Sequence, residues 1–246
     1  MEKVIVLLGP TAVGKSALGV ELAKALNGEI ISADSTQIYR GLNIGTAKST
    51  LEEMQGIPHH LIDIKNFDEG YNAFMFTEDA RKKIDEIISR GKTPIIVGGT
   101  NLYVTALVKG FAFEKAGKND VPYQSKFPLD FKLFALNIQS RENLYARINA
   151  RVDVMIKNGF FEEVRALQAK GLTAEMQAGK SIGYREFLAH IAGEMTFDEA
   201  VDKIKQHSRN FAKRQLTWLR SLTDLVWLDA ENPWQQNLEK IKSCLK

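Results

Sequence analysis

The chain has 246 residues and a net charge of +3, with 44% apolar and 26% charged residues, the balance of a globular protein built as one α/β domain with a smaller appendage. No apolar run approaches the roughly 20 residues that span a bilayer, and Cys244 is the lone cysteine, so a membrane span, a disulfide framework and a cysteine-based zinc site are excluded. Residue 3 already begins a strand pattern with no signal or transit segment before it, and the expected setting is a cytoplasmic monomer.

A strand is predicted over residues 3–8, closing on the apolar run Val4–Leu8. It feeds the sequence Gly9, Pro10, Thr11, Ala12, Val13, Gly14, Lys15, Ser16, a complete G-x-x-x-x-G-K-S loop of the ATP-binding kind. In a strand–loop–helix setting such glycines let backbone N–H groups turn inward, and the helix N-terminus adds partial positive charge where a phosphate sits. Lys15 can reach the outer phosphates and the Ser16 hydroxyl can hold a Mg²⁺ that bridges them. A helix over about 15–27 follows, with Gly28 as its stop, and then a strand at 29–33 that ends at Asp34. Residues 77–90 carry Ile84, Ile87 and Ile88 at helical spacing, and 93–97 reads as a third strand closed by Gly98-Gly99-Thr100. Short apolar strands alternating with helices predict a parallel sheet covered on both faces, with ligands beyond the strands' carboxyl ends. The polar, aperiodic stretch 112–130 is a linker between a P-loop α/β core at 1–111 and a second part at 131–246. That second part opens with a strand at 131–138 and continues as helices at 141–157, 159–170, 184–192, 196–221 and near 233–244.

The third strand ends without the aspartate that P-loop hydrolases use to hold Mg²⁺, so the carboxylate to consider is Asp34. It is a candidate general base for an attacking group, and otherwise a cap for the next turn. Thr100 is either a phosphate-side hydroxyl or a helix N-cap. Between Lys203 and Arg220 the long helix carries six basic residues and no acid, including Lys213, Arg214 and Arg220. Such a face can neutralise a polyphosphate backbone or simply be solvated. Trp218 reads as core, and His59 and His60 as packing or polar contacts rather than metal ligands.

Several blocks resemble bacterial tRNA dimethylallyltransferases, the IPP transferase family. They are Gly9–Ser16, Glu29–Tyr39, Asn43–Lys48, Gly56–Asp63, Gly98–Tyr103, Arg141–Asp153, Ile182–Arg185 and Ala212–Trp218. The resemblance implies a P-loop NTPase-like parallel sheet flanked by helices, with a helical C-terminal part. It implies transfer of a dimethylallyl group from its diphosphate to N6 of the adenosine just 3′ of the anticodon, position 37, in tRNAs reading codons that begin with U. By the same resemblance Asp34, Thr100 and Arg141 are catalytic, Gly9 to Ser16 hold the diphosphate with Mg²⁺ on Ser16, and the anticodon stem-loop meets three groups. These are Asp34, Ser35, Thr36 and Gln37; Lys180, Ser181, Ile182, Gly183, Tyr184 and Arg185; and Lys213, Arg214, Gln215 and Arg220.

The chain departs from the family pattern twice. Asn101 stands where the family has a glycine, and the family's helical insertion that grips the anticodon stem-loop is missing or minimised to the stretch near 112–130. Weaker tRNA binding is the expected consequence. The alternatives are an adenylate isopentenyltransferase acting on free nucleotide, a P-loop small-molecule kinase and a non-catalytic nucleotide-binding module.

Overall fold

The computed structural model describes residues 1–110 and 123–245. The elements are β1 (Glu2–Leu8), α1 (Lys15–Ala25), β2 (Gly28–Ala33), α2 (Leu51–Met54), β3 (His59–His60), α3 (Ala73–Ser89), β4 (Thr93–Gly98), α4 (Asn101–Lys109), β5 (Leu129–Asn137), α5 (Arg141–Lys157), α6 (Phe160–Ala169), α7 (Tyr184–Ile191), α8 (Phe197–Leu219), β6 (Leu225–Asp229) and α9 (Trp234–Leu245). Among the described residues one sheet of six parallel strands runs in the order β3-β2-β4-β1-β5-β6. Strand β1 lies where the winding reverses, and the loop after it opens at the carboxyl edge, the position at which such sheets bind ligands.

The unbroken apolar run Val4–Leu8 of β1 is explained by burial on both faces. Val4 through Leu8 are 0% exposed. Side chains alternate across a strand, so Val4, Val6 and Leu8 enter one core while Ile5 and Leu7 enter the other. The first core lies beneath α3, α4 and α6–α8, through Phe76, Ile84, Leu107, Val164 and Phe187. The second lies beneath α1 and α9, through Leu18, Leu22, Leu238 and Ile241.

Several boundaries differ from the sequence reading. Helix α3 starts at Ala73 rather than near 77, because the Asn72 side chain accepts from Met75 N at 3.0 Å and caps it, and Phe76 is fully buried. The segment after Thr100 forms α4, which buries Tyr103, Val104, Ala106 and Leu107. Strand β3 has only two residues, paired to Ile30 and Ile31, and β6 extends the sheet beyond β5 inside a region read as helical. Strand β5 begins at Leu129, opposite Glu2, two residues inside the stretch read as linker; part of that stretch, up to residue 122, lies outside the described residues. No helix among the described residues is long and apolar enough to cross a membrane.

Candidate active site

The loop after β1 is shaped by its glycines. Gly9 has φ +146°, and a Cβ there would meet the Leu136 carbonyl oxygen at 2.5 Å. Gly14 occupies the N-cap of α1 at φ 90° and offers no side-chain cap, so the first-turn N–H groups of α1 face the cleft. Lys15 Nζ donates to the Pro10 carbonyl at 2.7 Å. Burial pushes the Lys15 ammonium down to about 7; Arg151 pushes the same way and Asp34 opposes it. The loop is therefore rich in donors and short of anions.

Two side chains from the C-terminal half reach this loop. Arg151 Nη1 of α5 donates to Thr11 Oγ1 at 2.9 Å, and burial lowers the pKa of its guanidinium. Gln215 of α8, 3% exposed, accepts from Thr11 N at 3.0 Å and donates to the Gly99 carbonyl at 2.9 Å. A Cβ on Gly99 would lie 2.3 Å from Gln215 Nε2, so only glycine admits that strut. Gln215, expected at the RNA, ties the phosphate loop to the end of β4.

Asp34 follows β2. Its Oδ1 accepts from Thr36 N at 2.9 Å, Thr36 Oγ1 at 2.6 Å and Gln37 N at 3.3 Å. The capping role is thus real but confined to Oδ1, and Oδ2 is the oxygen available to a substrate proton. Thr100 stands at the N-cap position of α4 without capping it. Its hydroxyl accepts from Ser35 N at 3.0 Å and lies 3.3 Å from Ser35 Oγ. Gln37 is occupied internally: its Oε1 accepts from Ser32 Oγ at 3.2 Å and its Nε2 donates to the Thr46 and Ala47 carbonyls.

Two cavities meet here. One, of about 680 Å³, is lined by Thr11–Ser16 together with Gln37, Arg147 and the edges of β2 and β4. The other, of about 380 Å³, is lined by Ser35, Thr36, Thr100, Lys180, Ser181, Ile182, Arg185 and Arg214, with apolar Ile148, Met155, Phe160 and Ile204 behind them. Thr11, Ala12, Asp34, Thr46, Gly99, Arg151, Phe211 and Gln215 line both, so Asp34 and Arg151 stand at the junction.

Arg141 does not join them. It lies outside the lining of both cavities, its Nε donates to Tyr145 Oη at 3.0 Å and its guanidinium rests over that ring. The arginines of α5 that reach the cleft are Arg147 and Arg151, which the sequence reading missed. The signal was present in the spacing. Residues four apart share a helix face, whereas six residues place Arg141 about 120° from Arg147.

The remaining expected contacts divide. Gly183, at φ +93°, is a packing position, since a Cβ would lie 2.5 Å from the Phe160 ring. Tyr184 is fully buried and donates to Glu163 at 2.6 Å. Arg185 is exposed and pairs with the buried Glu186. Lys213 on α8 and Arg220 at its C-cap are exposed outside both cavities. Part of that helix's charge is spent on α5: Lys205 pairs with Asp153 at 2.6 Å and Arg209 bonds Asn149 at 2.7 Å. His59 Nδ1 lies 2.8 Å from the Ile57 carbonyl oxygen, His60 Nε2 lies 2.7 Å from Glu29 Oε2, and Trp218 Nε1 donates to Thr105 Oγ1 at 3.1 Å.

The IPP transferase family model matches residues 37–127 and 116–222. The chain belongs to the IPP transferase family. A tRNA dimethylallyltransferase of Streptococcus gordonii is 40% identical over 291 aligned positions, covering 99% of this chain and 98% of the relative. One from Exiguobacterium is 41% identical, covering 92% of this chain and 90% of its own. The crystal structure of the full-length tRNA isopentenylpyrophosphate transferase of Bacillus halodurans superposes with a TM-score of 0.90 at 36% identity, covering 100% of this chain and 96% of that one. A eukaryotic dimethylallyltransferase acting on tRNA superposes at 0.84 with 27% identity, over 98% of this chain and 78% of that one. In this IPP transferase 246 residues are spread over the 291 positions aligned with the streptococcal relative, so at least 45 positions have no residue of this chain opposite them. The two stretches matched by the family model meet at residues 116–127, inside the segment read as linker.

Proposed function

We propose that the chain transfers a dimethylallyl group from dimethylallyl diphosphate to N6 of adenosine 37, 3′ of the anticodon, in tRNAs reading codons that begin with U. The observation that carries the reading is the junction at Asp34 and Arg151, where a cavity built around the phosphate loop opens into one lined by Asp34, Thr100, Lys180 and Arg185. The names borne by the relatives support the same chemistry. Because both cavities are lined by a single chain, a monomer suffices, working where tRNA is found, in the cytoplasm.

Diphosphate binds against the loop N–H groups, Lys15 and Arg151, in a site already supplied with positive charge. The C1–O bond of the donor breaks, and diphosphate leaves with the electron pair. The N6 lone pair forms the new bond to C1, and the N6 proton passes to Asp34 Oδ2. Arg151 and Lys15 meet the charge that grows on the leaving oxygen, and Thr100 lines the acceptor side of the same junction. The adenine has to leave its stack to enter the second cavity, whose apolar wall replaces the lost stacking.

The residues also fit a magnesium ion. Ser16, with its hydroxyl, lines the phosphate-side cavity. That suits an ion that keeps its waters and takes most other ligands from substrate phosphates. When bound it would neutralise diphosphate charge.

The test offers labelled dimethylallyl diphosphate to an anticodon stem-loop with three consecutive adenines, and separately to AMP. Label is expected in the RNA; label in AMP with none in RNA would overturn the acceptor assignment.

A further inference from the structure

Helix α6 contributes a carboxylate that the chemistry above does not use. Glu163 Oε2 accepts from Asn43 N at 3.0 Å and Ile44 N at 2.8 Å, and Oε1 accepts from Gly45 N at 3.2 Å and Tyr184 Oη at 2.6 Å. Three successive backbone N–H groups and a phenol fill the acceptor capacity of one carboxylate. This is far more than a surface acid needs for its own solvation.

The loop it holds is part of the cleft. Gly45 and Thr46 line the acceptor-side cavity, and Thr46 lines the donor side as well. The Thr46 and Ala47 carbonyls accept from Gln37 Nε2 at 3.2 and 3.4 Å, and Gln37 N donates to Asp34 Oδ1. Hydrogen bonds therefore link Glu163 to the loop backbone, that backbone to the Gln37 side chain, and the Gln37 amide to the proposed base Asp34. Rings of α6 and α7 pack against the same loop. A Cβ on Gly45 would lie 2.1 Å from Phe160 and 2.8 Å from Tyr184, and those two rings meet edge to face at 5.1 Å.

We propose that Glu163 is a positioning residue for the acceptor: it clamps the Asn43–Thr46 loop to α6 and α7 and so sets the wall against which the incoming adenine and Asp34 are aligned. The inference rests on the acceptor reading above. The phosphate loop, which forms the main wall of the donor site, is held separately by Gln215 and Arg151, so the clamp bears on the donor side only through Thr46.

Glu163→Gln preserves volume but replaces one acceptor oxygen with an N–H₂ that faces the Gly45 N–H or the Ile44 N–H as a second donor. KM for the RNA stem-loop is expected to rise about tenfold, as for one misplaced buried hydrogen-bond set, while KM for dimethylallyl diphosphate stays within about twofold. Tyr184→Phe removes only the phenolic bond and should give a smaller change of the same kind. Hydrogen exchange of the Asn43, Ile44 and Gly45 amides reads the clamp without any substrate, and should quicken about tenfold in Glu163→Gln. Equal rises in both KM values, an unchanged RNA KM, or unchanged exchange at those amides would each overturn the proposal. A wild-type protein inactive on the stem-loop would instead strike at the acceptor reading, and the exchange measurement would still decide the clamp.

Discussion

The two oxygens of Asp34 are placed differently. Oδ1 organises the turn through Thr36 and Gln37, and under the proposed mechanism Oδ2 takes the proton. Asp34→Asn keeps an acceptor for the turn and removes the base. Turnover should drop about 10²–10⁴-fold, with diphosphate affinity within about twofold; steady-state kinetics with calorimetric titration of diphosphate checks both. Lys15 gives a second prediction. Its ammonium is lowered to about 7 chiefly by burial and then by Arg151. A bound diphosphate favours the charged form and raises that pKa, so binding takes up a proton once the pH passes 7. Donor affinity should hold below pH 7 and fall by about tenfold per unit above it, and Lys15→Arg, charged throughout, should flatten that profile. Residue type in a complete motif made Lys15 and Ser16 legible in the sequence, and strand-end position did the same for Asp34. Arg151 was hidden because its value lies in reaching Thr11, 140 residues away, and α5 offers three arginines among which only helix phase discriminates.

At the scale of elements, the sheet is fastened at the end opposite the cleft by Glu29 of β2. Its carboxylate, 4% exposed, bonds His60 of β3 at 2.7 Å, Arg90 after α3 at 2.6 Å and Lys92 before β4 at 3.0 Å. Burial alone would raise its pKa, but the hydrogen bonds from His60, Lys92 and Arg90 hold it down to about 2. A depressed carboxyl contributes stability that is fully present above the ordinary value of about 4.5 and lost as pH falls toward 2. Glu29→Ala should lower stability by about 2 kcal/mol at pH 7, and the gap to wild type should close between about pH 4.5 and pH 2 in urea unfolding. This clamp explains why β3 escaped sequence reading. Two histidines have no strand periodicity; they pair with Ile30 and Ile31, and His60 joins a cluster around Glu29 assembled from three separate segments. Strand β6 escaped for a related reason: five residues between helices become a strand because β5 presents an open edge.

For the whole molecule, the issue is how one chain brings a nucleic acid to a phosphate loop. Lys213 and Arg214 lie exposed on α8 and Arg220 at its C-cap, Arg214 reaching the acceptor cavity, while Lys205 and Arg209 are spent on α5. Replacing the three exposed residues with alanine should weaken stem-loop binding. It should also reduce the slope of log affinity against log salt by about two to three, with donor KM unchanged; an unaltered slope would remove α8 from the RNA face. The parallel α/β class, the glycine-rich loop after β1, the carboxylate at the end of β2 and the family itself were determined by the sequence alone. Local chemistry suffices for each: apolar runs bury on both faces, glycines turn a loop, and motifs keep their order. The tertiary structure decided which α5 arginines enter the cleft, that Gln215 braces the phosphate loop, and that Glu163 gathers the amides of Asn43, Ile44 and Gly45. Those roles depend on contacts between residues more than 100 positions apart, and only the packing of α5, α6 and α8 against the sheet brings them within hydrogen-bond distance.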